Sequence, residues 1–194
     1  TGVNLVENDN HVKVWLPGVG ANYRFNNYVS LFGGVHKGFA PPTNTPGTDA
    51  ENSTNYEIGT RYNYKKFSGE LVVYFNDYKN LLGSDLAASG GSGTLDQFNA
   101  GEAHVKGIEF LINYQVLKEE SKFKLPITFG YTLTDTEFIN EFSSSDGAWG
   151  TIEKGDEIPY ISKHQFNASI ALEHAKFELI LGARFNGEFR TVAG

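Results

Sequence analysis

The chain has 194 residues, a formal net charge of −7 at pH 7 and a sequence pI near 5.2, an acidic balance that argues against a phosphate-backbone partner, since nucleic-acid binding needs a basic face to release counterions. Cysteine is absent, which removes disulfides, thiolate zinc sites and cysteine nucleophiles. Aromatic residues make up 14% and 22 glycines accompany them, while Ala-, Leu- and Glu-rich stretches are nearly missing, so the composition is all-β. No run approaches the roughly 20 apolar residues of a membrane helix, so any crossing of a membrane falls to strands. Methionine is also absent; Thr1 is therefore not a translation start, and the chain is read as processed or as a piece of something longer.

In chain order, strands are expected over 11–25, 28–37, 54–64, 67–78, 98–116, 123–135, 162–173 and 177–190, about eight segments in all. In the third and fourth, "NYEIGTRYNYKKFSGELVVYFNDYKN", Tyr56, Ile58, Thr60, Tyr62 and Tyr64 alternate with Glu57, Gly59, Arg61 and Asn63 before the chain reverses at Lys65-Lys66. Ile108, Phe110, Ile112, Tyr114 and Val116 alternate with Gly107, Glu109, Asn113 and Gln115, and Ile127, Phe129, Tyr131 and Leu133 with Thr128, Gly130, Thr132 and Thr134. Phe166, Ala168, Ile170 and Leu172 continue the pattern, followed by Phe177, Leu179, Leu181, Ala183 and Phe185, with Ile180 the exception. Period two with a polar face marks strands half in an apolar medium and half in water.

The connections sort by length. Short ones fall at Asn26-Asn27, Lys65-Lys66, Leu117–Lys122 and His174–Lys176, and long ones, rich in Gly, Ser, Asn, Asp and Pro, at 38–53, 79–97 and 136–161. A soluble sandwich has no reason to sort its loops so regularly, whereas outer-membrane barrels have short periplasmic turns and long extracellular loops. About ten residues per strand at roughly 3.3 Å each, tilted near 45°, span the thin apolar band of such a membrane. Aromatics near strand ends, such as Tyr62, Tyr64, Phe123 and Phe177, fit interfacial girdles. The expected fold is an antiparallel transmembrane β-barrel, with Tyr56, Ile58 and Tyr62 toward lipid.

The order "LPGVGANYRFNNYVSLFGGVHKGFAPP", "NYEIGTRY", "GELVVYFNDYKNLL", "FNAGEAHVKGIEF" and "EIPYISKHQFNASI" resembles the C-terminal part of a TonB-dependent outer-membrane receptor, nearest the ferric citrate type. The resemblance covers essentially the whole chain. It implies a barrel of about 22 strands, of which residues 1–194 supply part, with the plug domain and final strands absent. It further implies uptake of ferric citrate or another siderophore across the outer membrane of a Gram-negative bacterium. The implied partners are the TonB-ExbB-ExbD energy-coupling complex (through the missing plug region), the ferric chelate and outer-membrane lipids. Where the family usually has proline, this chain has Ser162.

Strand parity places Glu57, Arg61, Glu70, Glu109, Glu173, Glu178, Arg184, Glu188 and Arg190 on the lumen face, where charges pair across strands or hold a plug. The resemblance puts ligand at the external mouth, which selects His36, Lys37, Gln97, Asn99, Lys154 and Arg190 as ligand-binding candidates, the cations through charge-assisted hydrogen bonds to an anionic chelate. No catalytic residue, metal site or cofactor is expected: HExxH, GxSxG and Walker patterns are missing and the five histidines are scattered. "SGGSG" at 89–93 precedes neither a helix nor a lysine and reads as loop. Two other readings stand beside the receptor: a self-contained small outer-membrane barrel acting as anchor or adhesin, and a soluble β-sandwich binding module.

Overall fold

The computed structural model describes residues 13–42, 48–84, 97–143 and 150–192. The expected "SGGSG" loop and the start of the first expected strand lie outside the described residues. In chain order the strands are β1 (Gly18–Arg24), β2 (Val29–Ala40), β3 (Glu51–Tyr64), β4 (Phe67–Lys79), β5 (Leu82–Ser84), β6 (Gln97–Asn99), β7 (Ala103–Gln115), β8 (Phe123–Lys124), β9 (Pro126–Phe138), β10 (Phe142–Ser143), β11 (Thr151–Ile152), β12 (His164–His174) and β13 (Phe177–Asn186). The main sheet has the order β1-β2-β3-β4-β7-β9-β12-β13, every pair antiparallel, with β8 beside β12. Each long strand thus pairs with its neighbour in sequence, the up-and-down meander of a barrel wall.

Turn chemistry explains the tight ends. Lys65 adopts φ 52° in the two-residue turn that closes between Tyr64 and Phe67, a backbone that matches the twist of the flanking strands. Asn26 Oδ1 accepts the backbone N–H of Tyr28 and Val29 at 2.8 and 2.9 Å, closing the β1–β2 turn. At the start of β9, Pro126 lacks an N–H, and the ladder to β12 is interrupted between Lys124 and Ile127. The long connections lie at 41–50, 80–102 and 139–163, all at the opposite end of the sheet. The expected strand over 98–116 splits, because Gly101 turns the chain with φ 78° and a Cβ there would lie 2.3 Å from the Asn140 amide.

The registers carry each face across the whole sheet. Ile58 pairs with Gly33 and Val73, Val73 with Ile108, and Ile108 with Leu133, while Glu57 pairs with Tyr74 and Arg61 with Glu70. One face is therefore a continuous apolar row and the other polar. The apolar face is bare: Ile58 is 55% exposed, Leu179 66% and Leu181 72%. Among the described residues no second sheet covers it, which excludes the sandwich reading, because a soluble domain would leave far more apolar surface in water than monomers tolerate. Among the described residues the sheet also does not close on itself, β1 and β13 each being paired on one side only, contrary to the self-contained small barrel.

Aromatic rings border this apolar row at both ends. Near the short turns, Tyr28 packs on Tyr64 at 4.7 Å, Tyr62 on Phe67 at 5.6 Å and Phe123 on His174 at 4.8 Å between ring centroids. Toward the long loops, Phe75 lies 6.1 Å from Tyr56 and 4.8 Å from His104. Tyr56 and Tyr64 are eight residues apart on β3, so at ~3.3 Å per residue and a tilt near 40° the band between the rings is about 20 Å tall.

Packing of the ordinary kind occurs at the long-loop end. Ala100, Ala103, Phe138, Ile152 and Ile158 form a buried cluster, with Tyr78, Leu81, Val105, Phe142 and Ile161 against it. The segment before β12 is strapped along the end of β9: Phe138 N–H donates to Asp156 O at 2.9 Å, Gly155 N–H to Phe138 O at 2.9 Å, and Ile158 N–H to Thr136 Oγ1 at 3.0 Å. Ala103, Val105 and Phe138 share the polar face's parity, so the loops fold inward over that side. Phe138 is fully buried, and Phe138→Ala should cost the mouth about 3–5 kcal/mol of local packing. The expected result is faster proteolysis of 139–163 in intact cells with unchanged insertion; equal protection of variant and parent would contradict a packed mouth.

Candidate functional site

The polar face is built by alternation: Asn55, Glu57 and Arg61 on β3, Glu70, Tyr74 and Asn76 on β4, Glu109 and Asn113 on β7, Thr128, Thr132 and Thr134 on β9, Gln165 and Asn167 on β12, and Arg184 on β13. Shallow cavities lie along it. One of about 480 Å³ is bordered by His36, Asn55, Glu57, Tyr74, Asn76 and Glu109; another of about 450 Å³ by Glu70, Glu109, Thr132, Gln165, Asn167 and Arg184. A third, of about 500 Å³, lies beside Phe32, Glu57, Arg61 and Glu70. Glu109 borders all three.

Glycines set this relief. Tyr74 on β4 lies across Gly107 on β7, and its hydroxyl sits 3.1 Å from Thr134 Oγ1 on β9. A Cβ at Gly107 would stand 2.2 Å from Leu133 O and 2.5 Å from the Tyr74 hydroxyl oxygen. Phe32 covers Gly59 in the same manner, with a Cβ there 2.4 Å from the ring, and Asn167 Oδ1 would be 2.3 Å from a Cβ at Gly130. The spacing in Glu57-x-Gly59 and Gly107-x-Glu109 has a physical meaning. Each glycine gives a neighbouring side chain room to lie flat, and the carboxylate two residues away stands on the same face beside it.

The charges are sparsely paired. Arg61 forms an ion pair with Glu70, and its guanidinium stacks 3.9 Å from the Phe32 ring centroid. Both partners are open to solvent, so the pair is worth about 0–1 kcal/mol. Among the described residues no ion pair involves Glu57, Glu109 or Arg184. No group of three or more His, Asp or Glu there is placed to hold a metal ion.

The ligand-binding candidates do not assemble. His36 stands on the polar face beside Asn55 and lines the first cavity. Lys37 stands on the opposite face from His36, since adjacent residues of a strand face opposite ways, and its Nζ donates to the Thr54 hydroxyl on the apolar side of the wall. Gln97 lies in β6, opposite Ser84. The Asn99 amide clamps loops, its Oδ1 accepting Asp49 N–H at 2.8 Å and its Nδ2 donating to Asp49 O at 2.9 Å and Asn80 O at 3.2 Å. Lys154 is exposed on the turn at 154–155. Arg190 Nε donates to Glu157 Oε2 at 3.2 Å. Arg190 and Glu188 follow the end of β13, beyond the ladder that places Glu173 and Glu178 opposite one another on the polar face. Ser162 is buried, and its hydroxyl donates to Gly187 O, a tie between the entry to β12 and the exit from β13 that proline could not make. Tyr74 was not among the expected site residues; the glycine opposite it was its signal.

A meander wall with a bare apolar face, a polar face and its long loops at one end is a transmembrane β-barrel wall. The TonB dependent receptor-like, beta-barrel family matches residues 1–193, and the chain belongs to that family. Among solved structures it is similar to the siderophore receptor PirA from Pseudomonas aeruginosa at 17% identity and a TM-score of 0.56, over 89% of this chain and 31% of that one. The FrpB iron transporter from Neisseria meningitidis (F5-1 variant, apoprotein form) matches at 19% identity and a TM-score of 0.56, over 87% and 26% of the two chains. PirA from Acinetobacter baumannii matches at 16% identity and a TM-score of 0.57, over 91% and 30%. The chain thus spans less than a third of the length of these structures. No curated protein sequence matches it significantly.

Proposed function

We propose that residues 1–194 are a wall segment, from the C-terminal part, of a TonB-dependent receptor in the outer membrane of a Gram-negative bacterium that takes up a ferric chelate, ferric citrate or another siderophore. The complete barrel has about 22 strands; its plug and remaining strands lie outside this segment. The observation that carries the reading is the polarity of the wall. Apolar rows are bare on one face, a hydrated polar relief lines the other, and the long loops pack inward at one end. That end is the extracellular mouth, and the Lys65-Lys66 turn is periplasmic. The similar structures, siderophore receptors and an iron transporter, support the cargo class.

In this reading the mouth captures the chelate, with His36 at the lumen side of the rim and Lys154, Arg190 and Gln97 as further rim candidates. The TonB-ExbB-ExbD complex acts on the plug to open a path along the polar wall. Glu57 and Glu109, without cation partners among the described residues, face the space the plug would fill. The test is uptake of labelled ferric citrate by cells carrying the full-length gene, with and without a working energy-coupling complex. Energy-dependent uptake is expected. Absence of uptake with the protein correctly inserted would overturn citrate as cargo, and energy-independent uptake would overturn the coupled mechanism.

A further inference from the structure

The outward apolar face is not level. Across β1–β3, Ala21, Gly33 and Ile58 stand side by side, and the small residues leave a groove of about 510 Å³ walled by Val19, Val35, Tyr56, Ile58, Val73 and Phe75. Tyr56 and Phe75, 6.1 Å apart, form its side toward the loops. The groove cannot be filled from Gly33 without moving the ladder, because a Cβ there would lie 2.9 Å from Glu57 O.

Directly beyond the groove the same face becomes charged. Lys106 meets Asp135 and Glu137, each at 3.3 Å, Lys163 meets Asp135 at 3.2 Å, and His104 Nε2 lies 3.5 Å from Asp77. Lys37 differs from Lys106 and Lys163. Among the described residues it has no carboxylate partner, and its ammonium meets only the Thr54 hydroxyl. Lys37 is two residues past Val35 and Thr54 two residues before Tyr56, so the cation stands about 7 Å along the strands from the groove's rim.

We propose that this feature is a binding site for one anionic, phosphate-bearing lipid, its acyl chain seated between Val19 and Val73 and its phosphate on Lys37 and Thr54. The site rests on the outer-membrane reading above. An empty apolar depression forfeits dispersion contacts with its surroundings, and a flexible acyl chain restores them. The groove by itself would accept any lipid; Lys37 selects the negatively charged one.

The test is native mass spectrometry of the delipidated full-length receptor in detergent, titrated with palmitoyl-oleoyl phosphatidylglycerol or with phosphatidylcholine carrying the same chains. One phosphatidylglycerol should be retained with about fivefold preference, the scale of one lysine near a membrane surface. Lys37→Gln should erase that preference and leave phosphatidylcholine unchanged. Ala21→Phe, which fills the groove from its outer edge, should reduce retention of both lipids; Val19→Trp serves the same purpose if Ala21→Phe does not fold. Equal retention of the two lipids by the parent, or an intact preference in Lys37→Gln, overturns the proposal. Displacement of the lipid by glycerol phosphate makes this a plain anion site and also overturns it, as does a dimer that Ala21→Phe dissolves, which makes a second copy the occupant. Protein that inserts into vesicles but retains neither lipid defeats the lipid site alone, whereas protein that does not insert defeats the barrel reading and the site together.

Discussion

Leu71→Arg should keep the receptor out of the outer membrane. Leu71 pairs with Thr60 and Phe110 on the apolar face and lies four residues from both Phe67 and Phe75, the rings that border the band. Four residues are ~13 Å of strand, farther than a guanidinium reaches by extending toward either interface. The charge is therefore held near the midplane at a cost of about 2–4 kcal/mol. Ile58→Arg should do less harm, because Ile58 is one rung from Tyr56 and its substitute can reach the head groups. Glu57→Gln, on the opposite face, should insert normally. The measurement is the fraction of each variant recovered in the outer membrane in the heat-modifiable folded form. Normal recovery of Leu71→Arg would mean that this face does not meet lipid.

Gly107→Ala should destabilise the wall although it adds one methyl group to the polar face. The new Cβ would stand 2.2 Å from Leu133 O, which is backbone and cannot swing away, and 2.5 Å from the Tyr74 hydroxyl oxygen. Overpacking of this kind costs about 1–3 kcal/mol. Gly182→Ala is the matched control. Its Cβ has Ala168 O at 3.8 Å as its nearest neighbour, so it should be neutral or stabilising by ~0.5 kcal/mol through the unfolded chain. Urea unfolding of the full-length protein in vesicles measures both. Adding Tyr74→Ala to Gly107→Ala should restore only part of the loss, because the Leu133 carbonyl remains. Full restoration would place the conflict in the tyrosine and not in the ladder.

The sheet was legible because its two faces meet different media, so period two survives in nearly every strand. Ile180 breaks it on β13 and indeed lies on the polar side, opposite Ala171. Boundaries toward the loops were less legible. β3 begins at Glu51 and β9 runs to Phe138, since a ladder can extend past the apolar band on backbone hydrogen bonds without any hydrophobic pattern. The packed mouth left no trace that periodicity could detect: Phe138, Ile152 and Ile158 are scattered through a polar stretch and meet only in the fold. For the candidate site, the outward orientation of Lys37 was legible, because the alternation that puts His36 toward the lumen sends its neighbour outward. The Asn99 clamp was not legible, since its partners Asp49 and Asn80 come from other loops.

The central claim is that one face of the wall meets lipid and the other water. These 194 residues contain no cysteine, so in the full-length receptor, with any cysteine elsewhere replaced by serine, a fluorophore can be placed singly along β3 from Asn55 to Tyr64 and read against nitroxide-bearing lipids and an aqueous quencher. Labels at positions 56, 58, 60 and 62 should be quenched from the lipid, and labels at 55, 57, 61 and 63 from water, with period two throughout. Quenching that did not alternate, or labels at 56 and 58 reached equally from water, would contradict a membrane-spanning wall.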